Sequence, residues 1–476
     1  MNALRQFTLV LCLVGLTQTV ALAALATPPA AAEPAETFTL PESAAALSLR
    51  DAINQAMAAN VQTLLADARR DEVAGSSREA RSAFLPHVSA RVSQSRRQNN
   101  LTAQGLDIQS ALDSLGPAAQ NADISVPDVI TYNSFDARAE LRQNLFDYSA
   151  WQQYKSAKLG QRVADDQLAL AREQVASEAA LDYVSALAAR ASVEAARADL
   201  ELADRLADLA VDQENVGIAT GVDVTRAQTR QARARARLAQ ARTDRTRADI
   251  RLARTVGLAL DTPLVLSDDL HYSAAVDGDI DADLDTAYAS RAELRLAQGQ
   301  LAVRRAQLAG ARGARLPTVS ASATYGEAGN TYHENVEDTY TIGAQVEVPI
   351  IDGGAINARI DSAASRLDQQ RIRYRDTRTQ IEQDVRVARR TLHTLAEQVR
   401  AAESAFDLAN RELDLSRDRF AEGISDNVEV IDAQTALADA RNGRVAALAD
   451  YTRARINLAA ALGRAGRFRL YEPATP

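Results

Sequence analysis

Residues 355–422 read AINARIDSAASRLDQQRIRYRDTRTQIEQDVRVARRTLHTLAEQVRAAESAFDLANRELDLSRDRFAE, without a single glycine or proline. Glycine and proline are the residues that most weaken a helix interior, so nothing in this stretch ends a helix. At about 1.5 Å per residue, an uninterrupted helix of this length extends about 100 Å. The sequence therefore predicts a helix much longer than those of ordinary globular domains.

Apolar residues recur along this stretch in steps of four and three. They are Ile360, Ala364, Leu367, Tyr374, Ile381, Val385, Ala388, Leu392, Leu395, Val399, Ala402, Phe406, Ala409, Leu413 and Phe420, with Arg371, Arg378 and Ser416 at the remaining positions of the seam. A period of 3.5 residues is typical of helices that pack lengthwise as coiled coils.

The chain contains an internal duplication. LPHVSA at 85–90 matches LPTVSA at 316–321, an offset of 231 residues, whereas Gly217 and Gly257 match Gly423 and Gly463 at an offset of 206. The change in offset indicates one insertion in the first half. It falls between Arg97 and Tyr132, a polar stretch that reads as a long loop.

Each half shows the same order of elements. The first repeat, 27–257, is predicted to contain strands at about 84–97 and 132–147, a long helix at 149–215 and a helix at 222–257. The second repeat, 286–463, is predicted to contain strands at 316–327 and 339–352 and helices at 355–422 and 427–463. An acidic connector, 258–285, joins the repeats, and a tail, 464–476, follows them.

The predicted strands alternate between apolar and polar residues. On the last strand Tyr340, Ile342 and Val346 share one face, while Gln345 and Glu347 share the other. Half-buried strands of a soluble sandwich would show the same alternation, but a sandwich needs more strands than the sequence offers. Because each run is close to the ~9–11 residues of a membrane-crossing strand, membrane strands are the favoured interpretation.

The first 26 residues have the three parts of a secretory signal, with Arg5 ahead of an apolar stretch and small residues at its end. The only cysteine, Cys12, lies inside that stretch, so the exported chain is expected to use neither disulfides nor cysteine metal sites. No later apolar segment approaches the length of a membrane-spanning helix.

Four membrane strands cannot close a barrel without leaving edges in lipid, so several chains must share one barrel. Three features carry a resemblance to a known family: the segment RFAEGISDNVEVID at 419–432, the duplicated halves and the Leu-Pro strand openings. With these features the chain resembles the TolC-like outer-membrane efflux family over nearly its whole exported length. The resemblance implies an α+β membrane protein, a homotrimer whose twelve-stranded β-barrel, four strands per chain, continues into a long α-helical coiled-coil barrel in the periplasm. It also implies contact with outer-membrane lipid and docking to a periplasmic adaptor and to an inner-membrane RND or ABC transporter.

The glycine turns between the helices are the candidate docking tips. Gly217, Ile218, Gly423 and Ile424 can be read as ordinary helix stops, but by resemblance the tip is where adaptor hairpins meet the channel.

Four charged residues just beyond the tips are the candidate entrance or gate. They are Asp223, Arg226, Glu429 and Asp432. By resemblance the acidic residues after the second tip face the tunnel entrance, although carboxylates are also favoured at any helix N-terminus. At the offset of 206, Arg226 corresponds to Asp432, which predicts ion pairs between them that hold the resting entrance closed.

Other charged motifs have simpler interpretations. The alternating aspartates from Asp277 to Asp285 lack the glycine and glutamate positions of a calcium loop. An arginine-rich helix between Arg226 and Arg254 has the charge of a nucleic-acid-binding surface, but an exported protein is not expected to meet nucleic acid, so pairing with acidic neighbouring helices is the favoured interpretation. We therefore expect no catalytic residue, no metal site, no cofactor and no nucleic-acid partner.

The sequence leaves three functions open. The favoured one is a passive exit duct for small molecules such as drugs or toxic compounds. The second is an outer-membrane channel for type I protein secretion, and the third is a periplasmic coiled-coil scaffold without a pore.

Overall fold

The computed structural model of the protein describes residues 46–100, 103, 129–217, 219–273, 279–422 and 427–470. The predicted signal at 1–26, Cys12, nearly all of the long first loop and the end of the tail lie outside the described residues.

The order of elements is the same in both halves. In the first half they are β1 (Ala46–Leu47), α1 (Leu49–Ala59), α2 (Val61–Ser82), β2 (His87–Asn100), β3 (Val129–Phe146), α3 (Tyr148–Asn215) and α4 (Gly221–Val256). After β4 (Val265–Leu266), the second half contains α5 (Ile280–Ser290), α6 (Ala292–Gly313), β5 (Thr318–Gly329), β6 (Glu337–Glu347), α7 (Ala355–Ala421), α8 (Asn427–Ala461) and a 3-10 turn (Ala465–Arg467). No helix among the described residues has an apolar run that could cross a membrane.

The acidic connector ends in a helix of the second half. Helix α5 begins at Ile280 because the Asp279 side chain caps it by accepting a hydrogen bond from the Asp281 N–H. Asp283 then pairs with Arg389 of α7, so the connector is held against the long helix. The predicted boundary at residue 285 therefore falls inside α5.

The long helix α7 buries one seam, as the periodicity of the sequence indicates. Ile381, Val385 and Val399 are almost completely buried. The seam shifts by one residue near its start, where Gln370 is buried and the predicted seam positions Arg371 and Arg378 are exposed.

A buried hydrogen bond accounts for the shift of the α7 seam from Arg371 to Gln370. The Gln370 side-chain amide donates a 3.0 Å hydrogen bond to Gln300 Oε1 of α6, so this buried polar group is satisfied. A buried Arg371 would have carried a charge into the same contact. Arg378 instead stacks its guanidinium over the Tyr288 ring at 4.8 Å from the ring centre.

The helices form an array with two open edges. Helix α4 packs along α3, and α8 packs along both α3 and α7. Nearer the strands, α2 takes the place of α4 and α6 takes the place of α8. The order across the array is therefore α4 (or α2), α3, α8 (or α6), α7, with first-half helices at one edge and α7 at the other.

The strands form an antiparallel sheet in the order β2-β3-β5-β6. Its apolar residues lie opposite one another across the strands, as in Val88 with Leu141, Leu141 with Ala323 and Ala323 with Ile342. Val88 is 73% exposed and Ile342 is 78% exposed. An apolar sheet face thus lies uncovered in the single chain.

A second, two-stranded parallel sheet pairs β1 with β4. Each of these strands has only two residues, too few to show an alternating pattern in the sequence. Leu47 and Leu266 from these strands join the largest buried cluster with Tyr183, Leu252 and Ile456. The sheet therefore ties the chain ahead of α1 to the connector between the halves.

The internal duplication reappears as two equivalent glycine contacts. Gly257 follows α4 with φ +84° and lies against Ala59, while Gly463 follows α8 with φ +68° and lies against Ser290. A Cβ built on Gly257 would be 2.9 Å from the Ala59 Cβ, and one on Gly463 would be 3.0 Å from the Ser290 Oγ. Both positions therefore require glycine for conformation and for space.

We expect Gly257→Ala and Gly463→Ala each to lower the free energy of unfolding by about 1–2 kcal/mol from backbone strain alone. The matched control is Gly160→Ala inside α3, where the nearest atom to a new Cβ is Val73 Cγ1 at 3.8 Å. That change should be neutral or stabilising by about 0.5–1 kcal/mol. Thermal unfolding followed by far-UV circular dichroism measures all three variants, and equal midpoints would contradict the role of the two glycines.

Candidate functional site at the helix turns

Both helical hairpins reverse at the same end of the array. Helix α3 ends at Asn215 and α4 begins at Gly221, while α7 ends at Ala421 and α8 begins at Asn427. The intervening segments are short, so the paired helices are antiparallel neighbours. The four turn-side ends consequently lie together, farthest from the strands.

Gly217 lets the first turn reverse. Its φ is +79° and its N–H donates to the Glu214 carbonyl at 2.9 Å, which ends α3 with a left-handed residue. A Cβ on Gly217 would meet nothing within 4 Å, so only the backbone conformation requires glycine. Val216 beside it is 70% exposed. The other predicted tip residues, Ile218, Gly423 and Ile424, lie outside the described residues.

Asp223 holds the start of α4. Its Oδ2 accepts hydrogen bonds from the Thr220 N–H at 3.0 Å and from the Thr220 hydroxyl at 2.7 Å. These bonds to Thr220 stabilise the ionised carboxylate and lower its pKa below the ordinary value. Arg226 Nη1 lies 3.8 Å from the Asp223 Oδ1. Asp223 and Arg226 therefore form a local pair on the first turns of α4.

The second hairpin places its charges differently. Glu429 occupies the position equivalent to Asp223 at the offset of 206, and its Oε1 lies 3.4 Å from Arg419 Nε across the turn. Asp432, equivalent to Arg226, is exposed. Within the described part of one chain, Arg226 and Asp432 do not form an ion pair. The pairing predicted between them therefore requires another chain.

A buried charged cluster, which the sequence motifs do not reveal, lies deeper in the array. Asp199 of α3 has a side chain that is only 6% exposed, and its Oδ1 accepts from Arg441 Nη1 of α8 at 3.0 Å. Burial raises the pKa of Asp199, while Arg441, Arg237 and Arg230 act in the opposite direction. One carboxylate thus faces arginines from two other helices.

The same cluster joins α4 to α8. Arg230 of α4 donates to the Gln434 carbonyl of α8 at 3.4 Å. Arg235 Nη2 of α4 lies 3.7 Å from Asp204 of α3. The contact between Arg235 and Asp204 fits the expectation that the arginines of α4 pair with acidic neighbours. The sequence carried one signal for the contact between Asp199 and Arg441. The two residues lie equally far along the chain from the glycine turns of their hairpins, so they are expected at the same height in the array.

Comparison with known proteins agrees with this architecture. The sequence profile of the family described as "Outer membrane efflux protein" matches residues 52–258 and again residues 284–464. The chain is 26% identical to the alkaline protease secretion protein AprF of Pseudomonas aeruginosa, over 67% of this chain and 68% of AprF. It is 24% identical to the outer membrane protein TolC of Vibrio cholerae, over 89% of this chain and 92% of TolC.

A solved structure shows the same fold. The CmeC outer membrane channel of Campylobacter jejuni superposes with a TM-score of 0.72 at 18% identity, covering 89% of this chain and 87% of CmeC. TolC and CmeC are both named as outer membrane proteins, and this protein likewise lies in the outer membrane and extends into the periplasm. Because the family profile matches both halves and so covers most of the sequence, the chain belongs to the outer membrane efflux protein family.

Proposed function

We propose that this protein is a passive exit duct, in which three chains form one twelve-stranded barrel continued by a helical tunnel. The observation that carries the proposal is the four-stranded sheet with an exposed apolar face. It continues directly into α3, of 68 residues, and α7, of 67 residues. One chain thus joins a membrane-compatible sheet to helices that reach about 100 Å into water.

The edges of the sheet require other copies. In the described part of one chain, β2 and β6 each pair with a neighbour on one side only. Unpaired N–H and C=O groups are very costly in lipid, so the sheet must close. Pairing β6 of one copy with β2 of the next is a head-to-tail contact that closes into a ring.

The two faces of the sheet suit lipid and water respectively. The apolar face carries Tyr340, Ile342 and Val346, each more than 60% exposed in the single chain. The opposite face carries the ion pairs Arg138–Asp136 and Arg142–Glu140. We assign the apolar face to lipid and the charged face to a water-filled lumen.

The turn end of the array is the proposed site for partners. Gly217, Ile218, Gly423 and Ile424 would meet a periplasmic adaptor, and an inner-membrane RND or ABC transporter would supply the energy. The chain itself is not proposed to do chemistry, since its family and structural neighbours are outer-membrane channels.

Small molecules are the proposed cargo, in line with the family description. The name of AprF concerns secretion of a protease, so type I protein secretion is the second candidate. A scaffold without a pore is disfavoured because it would leave the apolar face of the sheet in water. Identification of the transporter that co-purifies with the protein separates the two channel functions.

We expect Val346→Arg to lower the amount of heat-modifiable oligomer in outer membranes, because a charge near the membrane midplane costs about 2–4 kcal/mol. Gln345→Arg, on the neighbouring residue but the opposite face, is the matched control and should assemble like the parent. Electrophoresis of unheated and heated outer-membrane extracts measures both variants. If Val346→Arg and Gln345→Arg are tolerated equally, or if the parent forms no oligomer, the proposed barrel is wrong.

The entrance is proposed to be held closed by charges from different chains. Arg226 and Asp432 occupy duplicated positions just beyond the two turns, and both are exposed in one chain. We propose that they pair across the ring, with Asp223 and Glu429 beside them. Each such solvated pair contributes only about 1 kcal/mol at most, but threefold repetition can bias a gate.

We expect Asp432→Arg to raise the single-channel conductance of the protein in planar bilayers, because it replaces three opposite-charge contacts by like charges. Adding Arg226→Asp should reverse much of the increase. Asp450→Arg, farther from the turn on the same helix and exposed, is the control. If both single reversals and the double reversal conduct like the parent, other contacts close the entrance.

A further inference from the structure

A groove lies between α3, α6 and α7 near the strand end of the helical array. Its volume is about 720 Å³. Small residues from all three helices line much of it, among them Ser156, Ala306, Gly310 and Ser362, so the space between the helices stays unfilled. Sites for small molecules have volumes of about 300–1,000 Å³, and this groove falls within that range.

Three arginines line the groove. Arg304 comes from α6, and Arg359 and Arg366 come from α7. Arg359 and Arg366 are seven residues apart, about two helical turns, so they lie on the same side of α7. No carboxylate lines this groove among the residues that the structure describes. Three positive charges thus share one groove and repel one another.

The three guanidinium groups have no acidic partner in the described part of one chain. Arg304 Nη1 donates to Gln307 Oε1 at 2.9 Å, which is a neutral acceptor. Asp361 is the only acid between the two arginines of α7, and it follows Arg359 by two residues. Two residues turn a helix by about 200°, so Asp361 points away from the groove.

Two carboxylates toward the strands are engaged by backbone groups. Asp147 and Asp352 line the space into which the groove continues. The Asp147 Oδ1 accepts from the Ala150 N–H at 2.9 Å, and the Asp352 Oδ1 accepts from the Gly354 N–H at 3.1 Å. Each carboxylate therefore stabilises the start of a long helix.

The internal duplication shows that packing alone does not require arginines here. At the offset of 231, Arg304 corresponds to Val73, and at the offset of 206, Arg366 corresponds to Gly160. In the first half these two positions are close, since a Cβ built on Gly160 would lie 3.8 Å from Val73 Cγ1. The second half thus places two like charges where the first half packs valine against glycine. An anion between the two arginines would turn this repulsion into attraction.

The groove opens on the polar side of the sheet. Toward the strands its continuation is lined by Thr318 and Glu347, which are paired in the register of β5 and β6. Their neighbours Val319 and Val346, on the apolar side, do not line it. Because the polar face of the sheet is assigned to the lumen, the groove opens into the lumen as well.

We infer that this groove binds a small anionic molecule, one that carries carboxylate, phosphate or sulfonate groups, on the inner wall of the duct. The inference rests on the proposed function and deepens it, because it names anionic solutes as a class of cargo. Arg304 and Arg366 hold the anion from two helices, and Arg359 adds a third charge. Guanidinium groups match the geometry of such anions, and the hydroxyls of Ser156 and Ser362 offer further donors.

Binding of pyranine, a compact trisulfonate dye, to the purified full-length protein tests the groove. Fluorescence anisotropy should show saturable binding, and inorganic phosphate should displace the dye. Arg304→Gln and Arg366→Gln should each weaken binding about tenfold, because each removes a charge-assisted contact. Arg305→Gln is the matched control, since Arg305 is an exposed neighbour that does not line the groove, and it should bind like the parent.

Filling the groove distinguishes a defined site from diffuse attraction to positive charge. Ala358 lines the groove and is exposed, so Ala358→Leu keeps every charge and takes up part of the volume. This variant should also weaken pyranine binding. Ala401→Leu, an exposed position farther along the same helix, is the control and should leave binding unchanged. Equal binding by both leucine variants would contradict a site in the groove.

Reversal potentials in planar bilayers test whether the groove faces the lumen. In a gradient of potassium chloride, Arg366→Glu should move the reversal potential toward cation selectivity, because it places a negative charge beside the path of the ions. Arg305→Glu makes the same change of charge outside the groove and should leave the reversal potential unchanged. If neither variant moves it, or both move it equally, the assignment of anionic cargo is wrong.

The outcomes separate the groove from the proposed function. If the parent forms conducting oligomers but does not bind pyranine, the channel stands and the anion site is wrong. The same holds if Arg305→Gln weakens binding as much as Arg304→Gln does. If the parent forms no oligomer, the proposed function fails, whereas pyranine binding still decides the anion site because the groove lies within one chain.

Discussion

Lengthwise packing of α3 and α7 against the shorter helices holds every other part of the chain in place. The seam of α7 buries Ile381, Val385 and Val399 over many turns, and α8 fills the space between the two long helices. Such packing needs an apolar residue every 3.5 positions, so it tolerates few changes of phase. At one end it aligns the strands, and at the other it aligns the two turns.

The internal duplication gives two similar halves, and residue differences at duplicated positions change which hydrogen bonds and ion pairs form. Asn60 donates to the Thr255 carbonyl at 3.0 Å in the first half, and its counterpart Arg291 reaches the Ala461 carbonyl at 3.4 Å. Arg291 also pairs with Asp384 of α7 at 3.0 Å, a contact that asparagine is too short to make. The second half is thereby tied to its own long helix by charge.

The single chain is incomplete in a consistent way. Its sheet has an exposed apolar face and two open edges, and its helical array has open edges on the same sides. Burial of apolar surface and pairing of edge groups both favour closure with further copies. The charged cluster around Asp199, in contrast, lies entirely within one chain, where it joins α3, α4 and α8.

Local patterns in the sequence determined the duplication, the long helices, the alternating strands and the glycine turns. Helix period, strand alternation and left-handed glycine are properties of neighbouring residues, so they can be read without knowing the fold. Tertiary structure alone decided that Gln370 and not Arg371 enters the seam, that Arg291 pairs with Asp384, and that Asp199 faces Arg441. With 54 basic and 63 acidic side chains in the sequence, many pairings have similar energies, and only the distance between packed helices selects among them.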